Sequence, residues 1–294
     1  MRASGVFTLA ADLRADVGES PVWDAARGIL WLVDITAPAV LGFNPGTGAV
    51  RRIPVPEVCG SLALCRSGAL LVAQRASVIR LDPETGAIAP FAAMPEEPAW
   101  NRLNDGKVGP DGCFWVGSMD DRPDKQASGI LWRVRPDGGV ERRRDGLVVS
   151  NGLAWSPDGR TMWHSDSRRA LLDIADFDPL TGAVGAWRRV IALDDATGRP
   201  DGAAMDAAGP YWSAGVSAGR INVISAAGEI LRHFAFPVPA PTMPCFAGPD
   251  LSTVFVTSLR RGKDAATLVA HPTLGGLFRA EGLGRGAPVH RFAD

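Results

Sequence analysis

No stretch of this chain runs to some twenty apolar residues, and the apolar run inside the opening MRASGVFTLAADLRAD is too short for a signal-peptide core. The expectation is a cytoplasmic protein. An excess of one charge is missing as well. Lys and Arg number 31 against 32 Asp and Glu, so no strong field draws the chain toward nucleic acid or an acidic membrane surface, and neither is expected as a partner. Cysteine is scarce and badly spaced for chemistry. Cys59, Cys65, Cys113 and Cys245 form no C-x-x-C pair, and three of them lie in or beside apolar stretches, which favours buried thiols over a disulfide or a zinc site. His233, His271 and His290 are scattered and support no zinc motif. No helical period is long enough to compete with a β reading.

What the sequence does hold is a hydrophobic share of 46%, enough for a large core, and a hairpin that repeats. Ser150–Asp166 opens on an Asn-Gly corner, runs through the apolar Leu153–Trp155, turns at Pro157-Asp158-Gly159 and returns through Thr161–His164. Near-copies stand at Glu19–Asp34, Asn104–Ser118 and Asp201–Ala214, with fainter ones at Ser61–Gln74 and Cys245–Ser258. The bulky residue of each returning strand, Trp31, Leu71, Trp115, Trp163, Trp212 and Phe255, recurs at steps of 40, 44, 48, 49 and 43 residues, the period of propeller blades. A second turn follows most hairpins, at Phe43–Gly48, Leu81–Gly86, Arg135–Gly139 and Phe177–Gly182, with weaker versions at Ser225–Gly228 and Glu281–Gly286. Each repeat is therefore four antiparallel strands. One small twisted sheet cannot bury both faces, whereas a ring of six lets each blade cover its neighbours. The fold expected is all-β, a six-bladed β-propeller filling residues 1–294 as one domain. Closure would pair Val6–Leu9 with Leu277–Arg279 or Val289–Phe292.

The repeat also predicts sidedness. Glu19 and Asn151 each stand 12 residues before their marker Trp, and Asn104 and Asp201 stand 11 before theirs, so four oxygen-bearing side chains should converge at one mouth of the central channel. Blades two and six offer Cys59-Gly60 and Pro244-Cys245 near that place, with no carboxylate. The segments Asp120–Ser128, Asp166–Arg169, Ser213–Gly219 and Ser258–Gly276, the last with Arg260, Arg261 and Lys263, should wall the same mouth. Two carboxylates with one or two amide oxygens suit a hard divalent cation that keeps open positions. Asn-Gly and Asp-Gly are also ordinary turn chemistry, and it is the shared phase, with Glu19 a poor turn former, that favours a site. Arg102 can offer donors at the rim, or merely pair with Asp105 or a lid acid. His164 and Asp166 fit either support behind the site or a buried, hydrogen-bonded histidine. The blade tryptophans are expected in the core.

With Gly18-Glu19-Ser20-Pro21-Val22-Trp23, Asn101-Arg102-Leu103-Asn104-Asp105-Gly106-Lys107, Ser150–Gly159, Arg199-Pro200-Asp201-Gly202 and Phe246–Leu251, nearly the whole chain resembles the SMP-30/gluconolactonase family of regucalcin-like sugar lactonases. The resemblance implies a six-bladed propeller in which Glu19, Asn151 and Asp201 hold one divalent metal, Asp201 doubles as catalytic general base, and Arg102 and Asn104 bind substrate. It implies a hydrolase that opens an aldonolactone to the free aldonic acid, with a small-molecule sugar lactone as partner. An oxygen-only ligand set admits Ca, Mg, Mn, Zn or Fe(II). The chain departs from some members at Met119-Asp120-Asp121-Arg122-Pro123, where a substrate-contacting acid would stand, and its Arg260–Gly276 loop looks more like that of bacterial aldonolactonases. Rival readings are hydrolysis of a non-sugar lactone, an ester or an organophosphate on the same site, and a metal-binding propeller without turnover.

Overall fold

The structure is a computed structural model that describes residues 6–294; the first five residues of the opening stretch lie outside it. Twenty-four strands form six four-stranded antiparallel sheets. Five sheets are consecutive in sequence, with innermost strands Gly18–Asp24, Ser61–Leu64, Asn101–Val108, Ser150–Trp155 and Pro200–Met205. The sixth is led by Pro241–Ala247 and closed by the N-terminal strand Thr8–Ala11, which lies outermost beside Leu277–Glu281. The closing strand thus sits two residues later than Val6–Leu9, and Leu277–Glu281 is its partner. The turn at Glu281–Gly286 leads to no outer strand. The chain instead crosses the lower mouth of the channel and ends at blade two, where Phe292 N donates to Leu64 O. Among the described residues no helix is long and apolar enough to cross a membrane.

The expected markers Trp31, Leu71, Trp115, Trp163, Trp212 and Phe255 all lie on second strands and are fully buried. They bind blade to blade. Trp115 meets Phe177 of blade four at 5.6 Å between ring centroids, Trp163 stacks on Tyr211 of blade five at 4.9 Å, and Trp212 meets Phe246 of blade six at 5.1 Å. Cutting one of these tryptophans to Ala would cost about 3–5 kcal/mol. The outer strands Val50–Pro54, Val140–Leu147 and Arg188–Ala192 are largely exposed and basic, so those blade edges present charge rather than an apolar template for another chain, whereas Thr8–Ala11 and Ile88–Ala93 carry no charge. The turns before outer strands are Asx turns: Asn44 Oδ1 accepts from Gly46 N and Thr47 N, and Asp82 Oδ1 from Glu84 N and Thr85 N. All four cysteines are buried free thiols.

One local device sets the channel mouth. In blades one, three, four, five and six the inner hairpin shifts register near its start, a bulge that re-aims one side chain toward the axis. Blade two has no shift. Register also corrects the expected places in blades two and six. Ser61 pairs with Ala73, two residues beyond Leu71, and Pro241 pairs with Ser258, three beyond Phe255, as Gly18 pairs with Asp34. Ser61 and Thr242, not Cys59-Gly60 or Pro244-Cys245, therefore occupy the slot of Glu19. The offset in blade six comes from its hairpin turn, which holds five residues between Ala247 and Thr253 where blade one has four between Asp24 and Ile29. Its hairpin likewise begins at Pro241 rather than Cys245.

Candidate active site

Glu19, Asn104, Asn151 and Asp201 meet at one mouth, in a cavity of about 400 Å³ that they line with Arg102. Each of the four loop segments expected as a wall contributes: Pro123 and Lys125, Ser167 and Arg168, Val216, and Leu259. Arg260 and Arg261 turn their backbone N–H groups to Asp16 O instead.

Glu19 is buried and sits before Ser20, whose φ of 51° places a non-glycine residue in the left-handed region. Ser20 N donates to Glu19 Oε2 at 2.7 Å, and Ser20 Oγ accepts from Leu62 N at 3.0 Å, so the turn that aims the carboxylate is anchored to blade two. The local strain, of order 1–3 kcal/mol, is held by that anchoring. Asn151 is fixed by donation from Nδ2 to Asp201 Oδ1 at 2.6 Å and to Ser167 Oγ at 2.9 Å. Gly152 behind it has a φ of +62°, and a Cβ there would lie 2.2 Å from Tyr211 Oη, so no other residue fits. Asn104 is held from both ends: Nδ2 donates to Ser150 O at 2.9 Å, and Oδ1 accepts from Arg102 Nη1 at 2.7 Å.

Burial pushes the Glu19 carboxyl well above the usual carboxylate range, and the charges of Asp201 and Asp105 add to it. Asp201, half-buried, is pushed up to about 7, first by burial and then by Asp105, against the opposing bond from Asn151. Asp105 was expected only as a mate for Arg102. It lies deeper, accepts from Leu153 N at 2.9 Å, and keeps a buried Oδ1 without a partner. Arg102 pairs instead with the lid acid Asp121, Nε to Oδ1 at 3.2 Å. His164 is the buried, hydrogen-bonded histidine: Nδ1 meets Arg144 Nη1 at 3.1 Å, Nε2 meets Ser150 Oγ at 2.8 Å, and burial beside Arg144 lowers it to about 3. Asp166 accepts from Val148 N at 2.9 Å and from Arg168 N at 3.2 Å, stitching the wall loop to its blade.

Among the described residues no cluster of three His, Cys, Asp or Glu side chains has the makings of a metal site, so any cation here depends on an amide oxygen. The amide is available. Both hydrogen bonds of Asn151 are made by Nδ2, which leaves Oδ1 buried and without a partner. The only protein donor to the Glu19 carboxylate among the described residues is Ser20 N, and the only one to that of Asp201 is Asn151 Nδ2. Two under-satisfied carboxylates and one orphaned amide oxygen fit a hard divalent cation.

Three contributors were not singled out from sequence. Arg199, Lys125 and Arg168 bring positive charge to the wall; Lys125 and Arg168 were marked beforehand only by their places in the loop segments of the mouth face, and Arg199 only as part of the Arg199–Gly202 motif.

The family profile described as the SMP-30/Gluconolactonase/LRE-like region matches residues 17–260. A regucalcin of Xenopus laevis is 36% identical over 273 residues, covering 91% of each chain. A 6-deoxy-6-sulfogluconolactonase of Pseudomonas putida is 35% identical over 263 residues, 89% of this chain and 90% of that one. Among solved structures, a calcium-binding regucalcin from Agrobacterium tumefaciens superposes with a TM-score of 0.89 at 27% identity, over 98% of this chain and 99% of that one. By motif, by blade register and by these relatives, the chain belongs to the SMP-30/gluconolactonase family.

Proposed function

We propose that this protein is a divalent-metal-dependent hydrolase that opens a sugar-acid lactone to the free aldonic acid, and that residues 1–294 form one domain for that purpose. The observation that carries the reading is the buried Glu19 and half-buried Asp201 with the orphaned Asn151 Oδ1 at the floor of a cavity whose rim carries Arg102 and Asn104. The curated lactonase relative supports the reaction class.

Glu19, Asn151 and Asp201 would hold the cation. When bound, it supplies Lewis-acid polarisation of the ester carbonyl and acidifies water near it. Asp201 receives the proton as a water oxygen bonds to the carbonyl carbon, and returns that proton to the ring oxygen as the C–O bond breaks. Its Oδ1 is held by Asn151 Nδ2, which leaves Oδ2 for this exchange. Held against the cation, the Asp201 carboxylate would be a weaker base than in the metal-free protein, so it acts on water that the bound ion has already made more acidic. Arg102 orients the substrate with donors beyond those spent on Asp121 and Asn104, and Asn104 stiffens that arginine.

A panel of sugar and plain lactones, scored by pH drop with Ca, Mg, Mn, Zn and Fe(II) in turn, tests the proposal. Turnover is expected on at least one aldonolactone with at least one metal. No turnover on any, beside tight calcium binding, would favour cation binding without catalysis, the reading suggested by the calcium-binding neighbour.

A further inference from the structure

The cavity wall is divided. Its arc from blades one and six is apolar, made of Val17, Ile35 and Leu259. Its arc from blades three to five mixes apolar residues such as Met119 and Val149 with four cations, Arg102, Lys125, Arg168 and Arg199, against the two carboxylates of the floor. The chain as a whole has slightly more acids than bases, so this concentration is local.

Two of the four cations are already answered. Arg102 has Asp121, and Arg199 has the exposed Asp195 at 3.0 Å. The other two lack a carboxylate within ion-pair distance among the described residues. Lys125 Nζ donates to two carbonyls, Asp120 O at 2.8 Å and Arg122 O at 3.4 Å, which leaves its third hydrogen free. The adjacent acids are spent elsewhere: Asp121 pairs with Arg102 and Arg75, and the Asp120 carboxylate accepts from Arg122 Nη2 at 2.7 Å, Arg122 Nε at 2.9 Å and Gln126 N at 2.9 Å. Those bonds fold the segment that presents Lys125, so the ammonium is placed by a built loop. Burial, and then the nearby Arg102 charge, lower its pKa against the opposing pull of Asp121 and Asp120. The Arg168 guanidinium makes no hydrogen bond or ion pair among the described residues, and its backbone is pinned by Asp166. A neutral sugar lactone offers hydroxyls, which need no such field. With a divalent cation on the floor, the excess of positive charge would grow further.

We propose that the substrate carries a second, permanently anionic group remote from its lactone carbonyl, a phosphate, sulfonate or carboxylate, received by Lys125 and Arg168. This rests on the lactonase reading for the word substrate, while the anion site stands on the wall alone. The apolar arc takes the carbon face of the ring, and the cationic arc takes the charged end.

The test is calorimetric binding to the cation-loaded protein. One ligand is an aldonate; the others are the same aldonate bearing a terminal phosphate, sulfonate or carboxylate. All share the carboxylate that ring opening creates, so they differ only in the second charge. The doubly anionic ligand is expected to bind at least about tenfold tighter, the effect of one charge-assisted contact. The advantage should shrink as salt is raised. In Lys125→Gln/Arg168→Gln the gap between the two ligands should close to within about twofold, and the best of the three terminal groups identifies the source. Equal affinities in the wild type, or a gap that survives in the double variant, overturns the inference. Because binding is read without turnover, a protein that keeps the preference and hydrolyses no lactone sinks the lactonase reading alone, and hydrolysis without preference sinks this one alone.

Discussion

The same six strands line both ends of one channel, and the two ends differ in kind. At the upper mouth stand Glu19, Asn104, Asn151 and Asp201. At the lower end the same strands present Val22, Leu62, Val108, Ala154 and Met243 around a cavity of about 160 Å³, closed over by Ala287–His290. The closing tail is tied in by Ala287 N to Met205 O and by an ion pair between Arg80 and Asp294. The one lysine, arginine or carboxylate that lines it among the described residues, Lys107, is half-buried, with Nζ donating to Ala203 O at 2.7 Å, and desolvation lowers its pKa. A repeat thus specifies a backbone, and the residue at the bulge specifies which polar group that backbone turns to the mouth. Blade two shows the converse, with a regular strand and only Ser61 at the slot.

The largest expected effect that separates the two ends is metal removal. Chelation should abolish lactone hydrolysis while the circular dichroism of the propeller persists, because the core lies between blades and not at the mouth. One divalent cation should restore turnover and raise Tm, since it binds the native state. Full activity in thoroughly metal-free protein would erase the distinction between the ends.

Next in size is truncation. Glu19→Ala and Asp201→Ala should each lower kcat by more than about a hundredfold, the scale of a lost base or charge-stabilising group. Met243→Leu, a volume-conserving change at the lower end, should cost under about 1.5 kcal/mol of stability and leave kcat near wild type. Comparable losses at the two ends would mean that both belong to the site.

A third measurement concerns protons. Glu19 and Asp201 are raised acids, so the metal-free native state keeps a proton that the unfolded chain has shed between the ordinary carboxylate range and about pH 7. That proton favours the metal-free native state at low pH, and the advantage is lost as pH rises through 7. A cation must displace it. Cation affinity, read by calorimetry in buffers of different ionisation heat, should therefore rise about tenfold per pH unit up to about 7 for one released proton and then level. A flat profile from pH 5 to 8 would remove the coupling ascribed to Glu19 and Asp201.

How much of this was legible beforehand follows from what repeats. The six markers and the blade period are periodic, so the propeller, its sidedness and the four mouth residues could be counted out from Trp31 to Phe255. Features that depend on a single turn or on the chain ends were not countable. One extra residue between Ala247 and Thr253 slid blade six out of phase, and two candidate segments competed for the closing strand until Leu277–Glu281 was seen to pair with Thr8–Ala11. The cationic arc was invisible for another reason. Lys125, Arg168 and Arg199 have no common spacing, and only three-dimensional convergence of three blades makes them a wall.

The smallest effect, and the one that tells rim from floor, is at Arg102. Its side chain is only 12% exposed, and Nε and Nη1 are committed to Asp121, Asn104 and Leu103 O. Nη2 has no partner among the described residues and is the donor left for a substrate hydroxyl. A hydrogen bond from a charged guanidinium is worth about 1.5–3 kcal/mol, so Arg102→Ala should lower kcat/KM on a hydroxylated lactone by roughly ten- to a hundredfold more than on an unsubstituted lactone. Bound metal should be unchanged, because Arg102 touches neither Glu19, Asn151 nor Asp201 by hydrogen bond. The variant also frees Asn104 Oδ1, and Asn104→Ala in the same assay separates that contribution. If Arg102 only clamps the lid through Asp121, Asp121→Asn should reproduce its whole effect and both substrates should suffer alike. Equal losses on the two lactones, or loss of the metal, would move Arg102 from the rim to the scaffold of the floor.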